Sequence, residues 1–86
     1  MFGGKETKVK IEFDDGLVGV IIDRFGKDIT IRPSANEGKS ETTIDVAVSD
    51  HFFGWLFALG TGVKIVSPKE VADRMKSELK NISDMY

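Results

Sequence analysis

The side chains best equipped for chemistry are few and poorly assembled. His51 is the single histidine. Pairing it with Ser49 for nucleophilic catalysis requires a third, orienting group and an oxyanion hole, and the pattern indicates neither. A metal site needs several convergent ligands, and the chain has one histidine and no cysteine. Asp14-Asp15 reads as turn and helix-cap chemistry, not as the opposed carboxylates of a glycosidase. Gly3-Gly4, Gly16, Gly19 and Gly26 do not make G-x-G-x-x-G after a strand. Gly60-Thr61-Gly62 stands between a helix and a strand, the wrong order for a phosphate cradle. The expectation is a non-enzymatic chain with no cofactor and no metal.

Composition narrows the class further. Eighty-six residues make room for one core, and a domain of this size buries about 60–65% of the surface its unfolded chain exposes. A hydrophobic fraction of 41% and a charged fraction of 30% are those of an ordinary soluble globular protein. The absence of cysteine rules out a disulfide framework and thiol chemistry, and it fits a cytoplasmic setting. A net charge of −2 argues against the domain gripping nucleic acid by itself. The apolar-rich stretch Phe52–Leu59 is far too short to span a bilayer. Met1-Phe2-Gly3-Gly4-Lys5 has no apolar core of signal-peptide length, so a cytoplasmic protein is expected.

The elements that would position these residues follow from periodicity. Thr7–Phe13 alternates, with Val9, Ile11 and Phe13 on one side and Lys8, Lys10 and Glu12 on the other, which predicts a strand with one buried face. Asp14 or Asp15 is placed to cap a helix carrying Leu17, Val18, Ile21, Ile22 and Phe25, with Gly26 at its end. Ile29 and Ile31 predict a second strand that Pro33 terminates. Ser34–Ser40 is a turn-rich connector. Thr42, Ile44, Val46 and Val48 alternate as a third strand, forming a hairpin with the second. Ser49 or Asp50 caps a helix with two apolar rows, Phe52-Leu56-Leu59 and Phe53-Phe57, closed by Gly60 and Gly62. Val63 and Ile65 give a fourth strand. Ser67-Pro68-Lys69-Glu70 predicts a serine N-cap, a proline at the first helical position and a glutamate three residues after the cap. The last helix carries the stripe Val71, Met75, Leu79 and Ile82.

The order is β-α-β-β-α-β followed by a helix. It predicts an α+β, ferredoxin-like sandwich, with an antiparallel four-stranded sheet in the order 4-1-3-2. Two helices cover one sheet face, and a C-terminal helix is added.

Three runs carry a family resemblance. They are Val18-Gly19-Val20-Ile21-Ile22-Asp23-Arg24-Phe25-Gly26-Lys27-Asp28; Val46-Ala47-Val48-Ser49 with Phe52-Phe53-Gly54-Trp55-Leu56-Phe57 and Gly60; and Val63-Lys64-Ile65-Val66-Ser67-Pro68-Lys69-Glu70-Val71. In this order and spacing, from about Lys5 to Tyr86, the chain resembles the C-terminal extension (WCX) domain of WYL-family bacterial transcriptional regulators. The resemblance implies a longer protein with a DNA-binding winged helix-turn-helix, then a WYL domain resembling an Sm-like barrel, then this domain. Neither of the first two is present in residues 1–86, so the chain reads as one domain, the excised C-terminal part of such a regulator. It further implies a role in dimerisation and effector response, with DNA reached only through the missing N-terminal domain.

Two sets of residues stand out as candidate surfaces. In Phe52-Phe53-Gly54-Trp55-Leu56-Phe57 more large apolar side chains follow one another than a single core-facing stripe requires. Phe52, Phe53 and Trp55 are therefore candidates for an interface with another protomer or with the WYL barrel. On the exposed sheet face, Lys10, Arg32 and Lys64 could form a small basic strip. That face lacks the stacking aromatics of ferredoxin-like RNA-binding domains, and Glu12 and Asp45 oppose phosphate.

The leading expectation is a regulatory and assembly module. The alternatives are a ferredoxin-like small-molecule sensor, needing a pocket near Gly26–Asp28 or Ser34–Ser40, and, more weakly, a nucleic-acid-binding module.

Overall fold

In this computed structural model residues 6–86 are described, so Gly3 and Gly4 of the glycine pattern lie outside the described residues. β1 is Glu6–Asp14. Its alternation is the one the sequence predicts: Val9, Ile11 and Phe13 are fully buried, and Lys8, Lys10 and Glu12 lie on the opposite side. β3, Lys39–Ala47, runs antiparallel beside it in continuous register, from Glu6 opposite Ala47 to Asp14 opposite Lys39. β4, Val63–Ser67, pairs antiparallel with the other edge of β1, with a register shift between Lys10 and Ile11. β2 is only Arg32–Pro33, set against Glu41 and Ser40 of β3. The sheet order β2-β3-β1-β4 is the expected ferredoxin-like order.

The second strand is displaced from its predicted place. Ile29 and Ile31 do not form it. They pack against the core from an irregular segment, and the two-residue strand begins after them. Pro33 belongs to that strand instead of ending it, because its position demands no donor. The Ser34 amide donates to the Lys39 carbonyl at 2.9 Å. Alternation then assigns the donor positions to Arg32 and Ser34 and leaves Pro33, opposite Ser40, between them.

A short 3-10 turn, Asp15–Leu17, leads into α1, Val18–Phe25. Neither aspartate caps it: the Asp14 carboxylate is held by Lys39 Nζ, and Asp15 Oδ1 accepts from Ser40 Oγ at 2.6 Å. Gly26 follows at φ +94° and ψ 168°, a backbone conformation that only glycine adopts at low cost. α2, Asp50–Ala58, is capped by Ser49, whose hydroxyl accepts from the Phe52 amide at 3.3 Å.

α3 spans Lys69–Ser83, and its N-cap is Pro68 with no side-chain bond. The predicted serine cap does not form, because Ser67 is the last residue of β4 and pairs with Lys10. All three helices bury side chains against the same sheet face. Ile21 of α1, Phe52, Phe53 and Leu56 of α2, and Val71 of α3 join Val9, Ile11, Phe13, Ile44, Val46 and Val63 in one core.

Candidate interaction surfaces

The helix α2 divides its aromatics between core and surface. Phe52 and Phe53 are 1% and 5% exposed, so two of the three candidate interface residues are core members. Their rows point into the sheet, and a small domain uses its largest side chains where its volume lies. Trp55 is half-buried. Its ring meets Phe25 edge-on at 5.2 Å and stacks near Phe52 at 6.5 Å, while the Arg24 guanidinium lies 5.8 Å from its centroid. Phe57, one turn beyond Phe53, is 67% exposed and was not among the candidates. Its helical row was legible, but the point at which that row leaves the core was not.

An apolar groove of about 320 Å³ lies between α2 and α3, with Phe53, Phe57, Met75, Leu79 and Ile82 along it and Asp50 and Glu78 at its rim. The stripe on α3 explains it. Val71 is buried and Met75 is packed against the core, but Leu79 and Ile82 are 38% and 53% exposed. The periodic stripe thus continues past the end of the core it serves. Arg74 sits 5.5 Å from the Phe53 ring centroid, holding α3 against α2 through a cation–π contact.

The uncovered sheet face does carry Lys10, Arg32 and Lys64, but not as a strip of free positive charge. Cross-strand pairing sets Arg32 opposite Glu41, Glu41 opposite Glu12, and Glu12 opposite Lys64. One row across the sheet therefore alternates in groups: cation, two carboxylates, cation. Lys10 Nζ lies 3.1 Å from Glu41, Lys64 Nζ is 3.7 Å from Glu12, and Lys8 Nζ is 3.1 Å from Asp45. Among the described residues Arg32 has no ion pair. A polyanion here meets three carboxylates, Glu12, Glu41 and Asp45, set among the four cations.

Glu12 is the unusual member of this face, being only 6% exposed. Its Oε2 accepts from Ser34 Oγ and from Asn36 Nδ2, the latter at 2.9 Å. The β2–β3 turn is thereby tied back over the central strand. These two hydrogen bonds, with Lys64 and Lys39 nearby, hold its carboxyl below the usual glutamate range against the opposing effect of burial. The Asp14 carboxylate beside Lys39 raises that ammonium above its ordinary value.

Ser49 is occupied by capping and His51 is exposed on the first turn of α2, so the structure does not bring them together as a catalytic pair. Among the described residues no group of three metal-ligating side chains converges, and no helix is long and apolar enough to cross a membrane.

A second groove, about 630 Å³ and polar, runs along the outer edge of β3. It is bounded by Phe25, Asp28, Thr30 and Arg32 on one side and Thr43 and Asp45 on the other. It lies where a small-molecule sensor would need its pocket, near Gly26–Asp28. Four charged residues of its lining are already paired, Lys8 with Asp45 and Lys10 with Glu41.

Compared with known proteins, the chain matches the family model of the WCX domain over residues 5–83. No curated protein shows significant similarity to it.

Proposed function

As a member of the WCX domain family, this chain, we propose, serves as the C-terminal regulatory and assembly domain of a WYL-type transcriptional regulator, without catalysis of its own. The observation that carries this reading is the α2–α3 groove. Phe57, Leu79 and Ile82 leave apolar surface in water beside a complete core, and such surface marks a protein contact. We assign it to the upstream WYL-type domain of the same regulator. Effector binding there would reach the rest of the protein through contacts that differ between two states of the assembly.

The test is calorimetric titration of the chain with the WYL-type domain supplied as a separate polypeptide. Wild type should bind, and Phe57→Lys with Leu79→Lys should abolish binding while leaving the circular dichroism unchanged. Failure of wild type to bind, or undiminished binding by the double variant, would remove the groove from the mechanism.

A further inference from the structure

We propose that the outer edge of β3 is a self-pairing surface: two copies of the chain join their sheets through antiparallel β3–β3 pairing centred on Ile44. This inference rests on the assembly reading above and supplies the surface through which two protomers meet.

The edge is open because β2 is so short. β3 has nine residues, yet β2 covers only Ser40 and Glu41. The Lys39 carbonyl faces outward, since it accepts from the Ser34 amide. In a strand whose register is unbroken, Glu41, Thr43, Asp45 and Ala47 must face the same way. Arg32 lies opposite Glu41. Among the described residues, no backbone partner is found on that side for Thr43, Asp45 or Ala47. The Gly26–Ile31 segment is tied to the strand by one hydrogen bond, from Thr42 Oγ1 to the Thr30 carbonyl at 2.7 Å, and otherwise stands off across the groove.

Open edges are normally blunted by proline, bulges, charged side chains or a covering loop; here the single charge, Asp45, is already paired with Lys8 at 3.1 Å. Thr42–Ala47 has no proline, glycine or bulge, and four of its residues, Thr42, Thr43, Ile44 and Val46, are β-branched strand formers.

Side-chain pairing selects the occupant and the register: Thr43 and Asp45 stand two residues apart on one face, so a second copy sets each opposite the other. In a two-fold antiparallel pair centred on Ile44, Thr43 lies opposite the partner's Asp45, and Ile44 lies opposite its own copy. Each Thr43 hydroxyl then faces a carboxylate it can donate to, and about four new backbone hydrogen bonds form. Centring the pair on Asp45 would set two carboxylates directly opposite one another, an unfavourable arrangement. With no native cysteine, the register can be read by cross-linking on a clean background.

The experiment is light scattering over a concentration series, with oxidation of cysteine variants. The wild-type mass should double as concentration rises. Thr43→Cys with Asp45→Cys should give a covalent dimer, because directly opposite Cα atoms in an antiparallel pair lie within disulfide range. Asp45→Cys alone and Phe57→Cys alone should not. Thr43→Pro removes an outward-facing amide that β1 does not use, so it should hold the mass at the monomer value at every concentration while β1–β3 pairing survives by circular dichroism. A dimer that cross-links through Asp45→Cys or Phe57→Cys alone, or that ignores Thr43→Pro, overturns the β3 pairing and leaves the assembly reading standing. A monomer at all concentrations overturns the pairing, while the groove's binding to the upstream domain is judged by its own titration.

Discussion

The ring of Trp55 meets Phe25 edge-on, with centroids 5.2 Å apart and planes at 87°. This contact joins the C-terminal end of α1 to the middle of α2. Both rings also lie within reach of Arg24, at 5.4 Å and 5.8 Å. A residue whose type suggests an outward-facing anchor is thus engaged within its own chain.

Trp55→Ala should therefore act first on stability. Losing a half-buried indole with an edge-to-face partner should cost about 2 kcal/mol, below the 3–5 kcal/mol of a fully buried aromatic. Urea denaturation followed by far-ultraviolet circular dichroism measures it. A change in stability below about 0.5 kcal/mol would mean that the Phe25–Trp55 contact contributes nothing.

Phe52 and Phe57 should part company. Phe52→Ala opens a cavity in the core and should cost about 3–5 kcal/mol, much of the margin of a domain this small. Phe57→Ala removes mostly solvent-exposed surface and should stay within about 0.5 kcal/mol. Thermal unfolding of the two variants side by side decides this, and equal losses would contradict the division of α2 into a core row and a surface row.

Stability should fall at both extremes of pH through identifiable groups. The Glu12 carboxyl is depressed in the folded state by Ser34 and Asn36. Its contribution is fully present above the ordinary glutamate range and disappears as the pH falls through its lowered folded value. Lys39 is raised by Asp14, so its contribution is present below the ordinary lysine value and disappears as the pH rises through the folded one. Glu12→Gln should flatten chiefly the acid limb of the melting-temperature profile and Lys39→Met chiefly the alkaline limb, each moving the other limb by less because the two charges also attract one another.

Gly26→Ala should destabilise although nothing lies within 4 Å of the added methyl group. The cost is purely conformational: φ +94° with ψ 168° lies where a side chain is strained by about 1–3 kcal/mol. Gly62→Ala tests the opposite cause, since its Cβ would sit 2.7 Å from Leu17 Cδ1 at an ordinary φ. Denaturation of both variants separates strain from collision; a neutral Gly26→Ala would show that the turn after α1 relaxes.

Legibility in the sequence followed the range of the interaction. Strands β1 and β3 were readable because their alternation reflects one buried face along their whole length. Helices α2 and α3 were readable from their apolar rows. What escaped was decided by tertiary partners. Ile29 and Ile31 look like strand residues because they are apolar and alternate, yet packing against the core satisfies them without a ladder. The Ser67-Pro68-Lys69-Glu70 pattern promised a serine cap, but pairing with Lys10 keeps Ser67 in β4. Asp14 and Asp15 gave up capping for Lys39 and Ser40, residues some 25 positions away. Among the candidate surface residues, Trp55 reaches the surface and Phe52 and Phe53 do not. The paired charges around Lys10 and Lys64 required the register itself, because Glu41 and Glu12 become neighbours only across strands.

The sheet order carries a consequence for how the domain comes into being during synthesis. β1 is central, flanked by β3 and β4, so the earliest described segment to leave the ribosome is the one that needs partners on both sides. Its neighbours emerge only with residues 39–47 and 63–67. Until then Val9, Ile11 and Phe13 have no completed core to enter, and the nascent chain must carry this apolar strand unsatisfied. Such non-local pairing slows folding and exposes the chain to mispairing. The lysines and glutamates that alternate along β1 set a charge beside each of those apolar side chains during that wait.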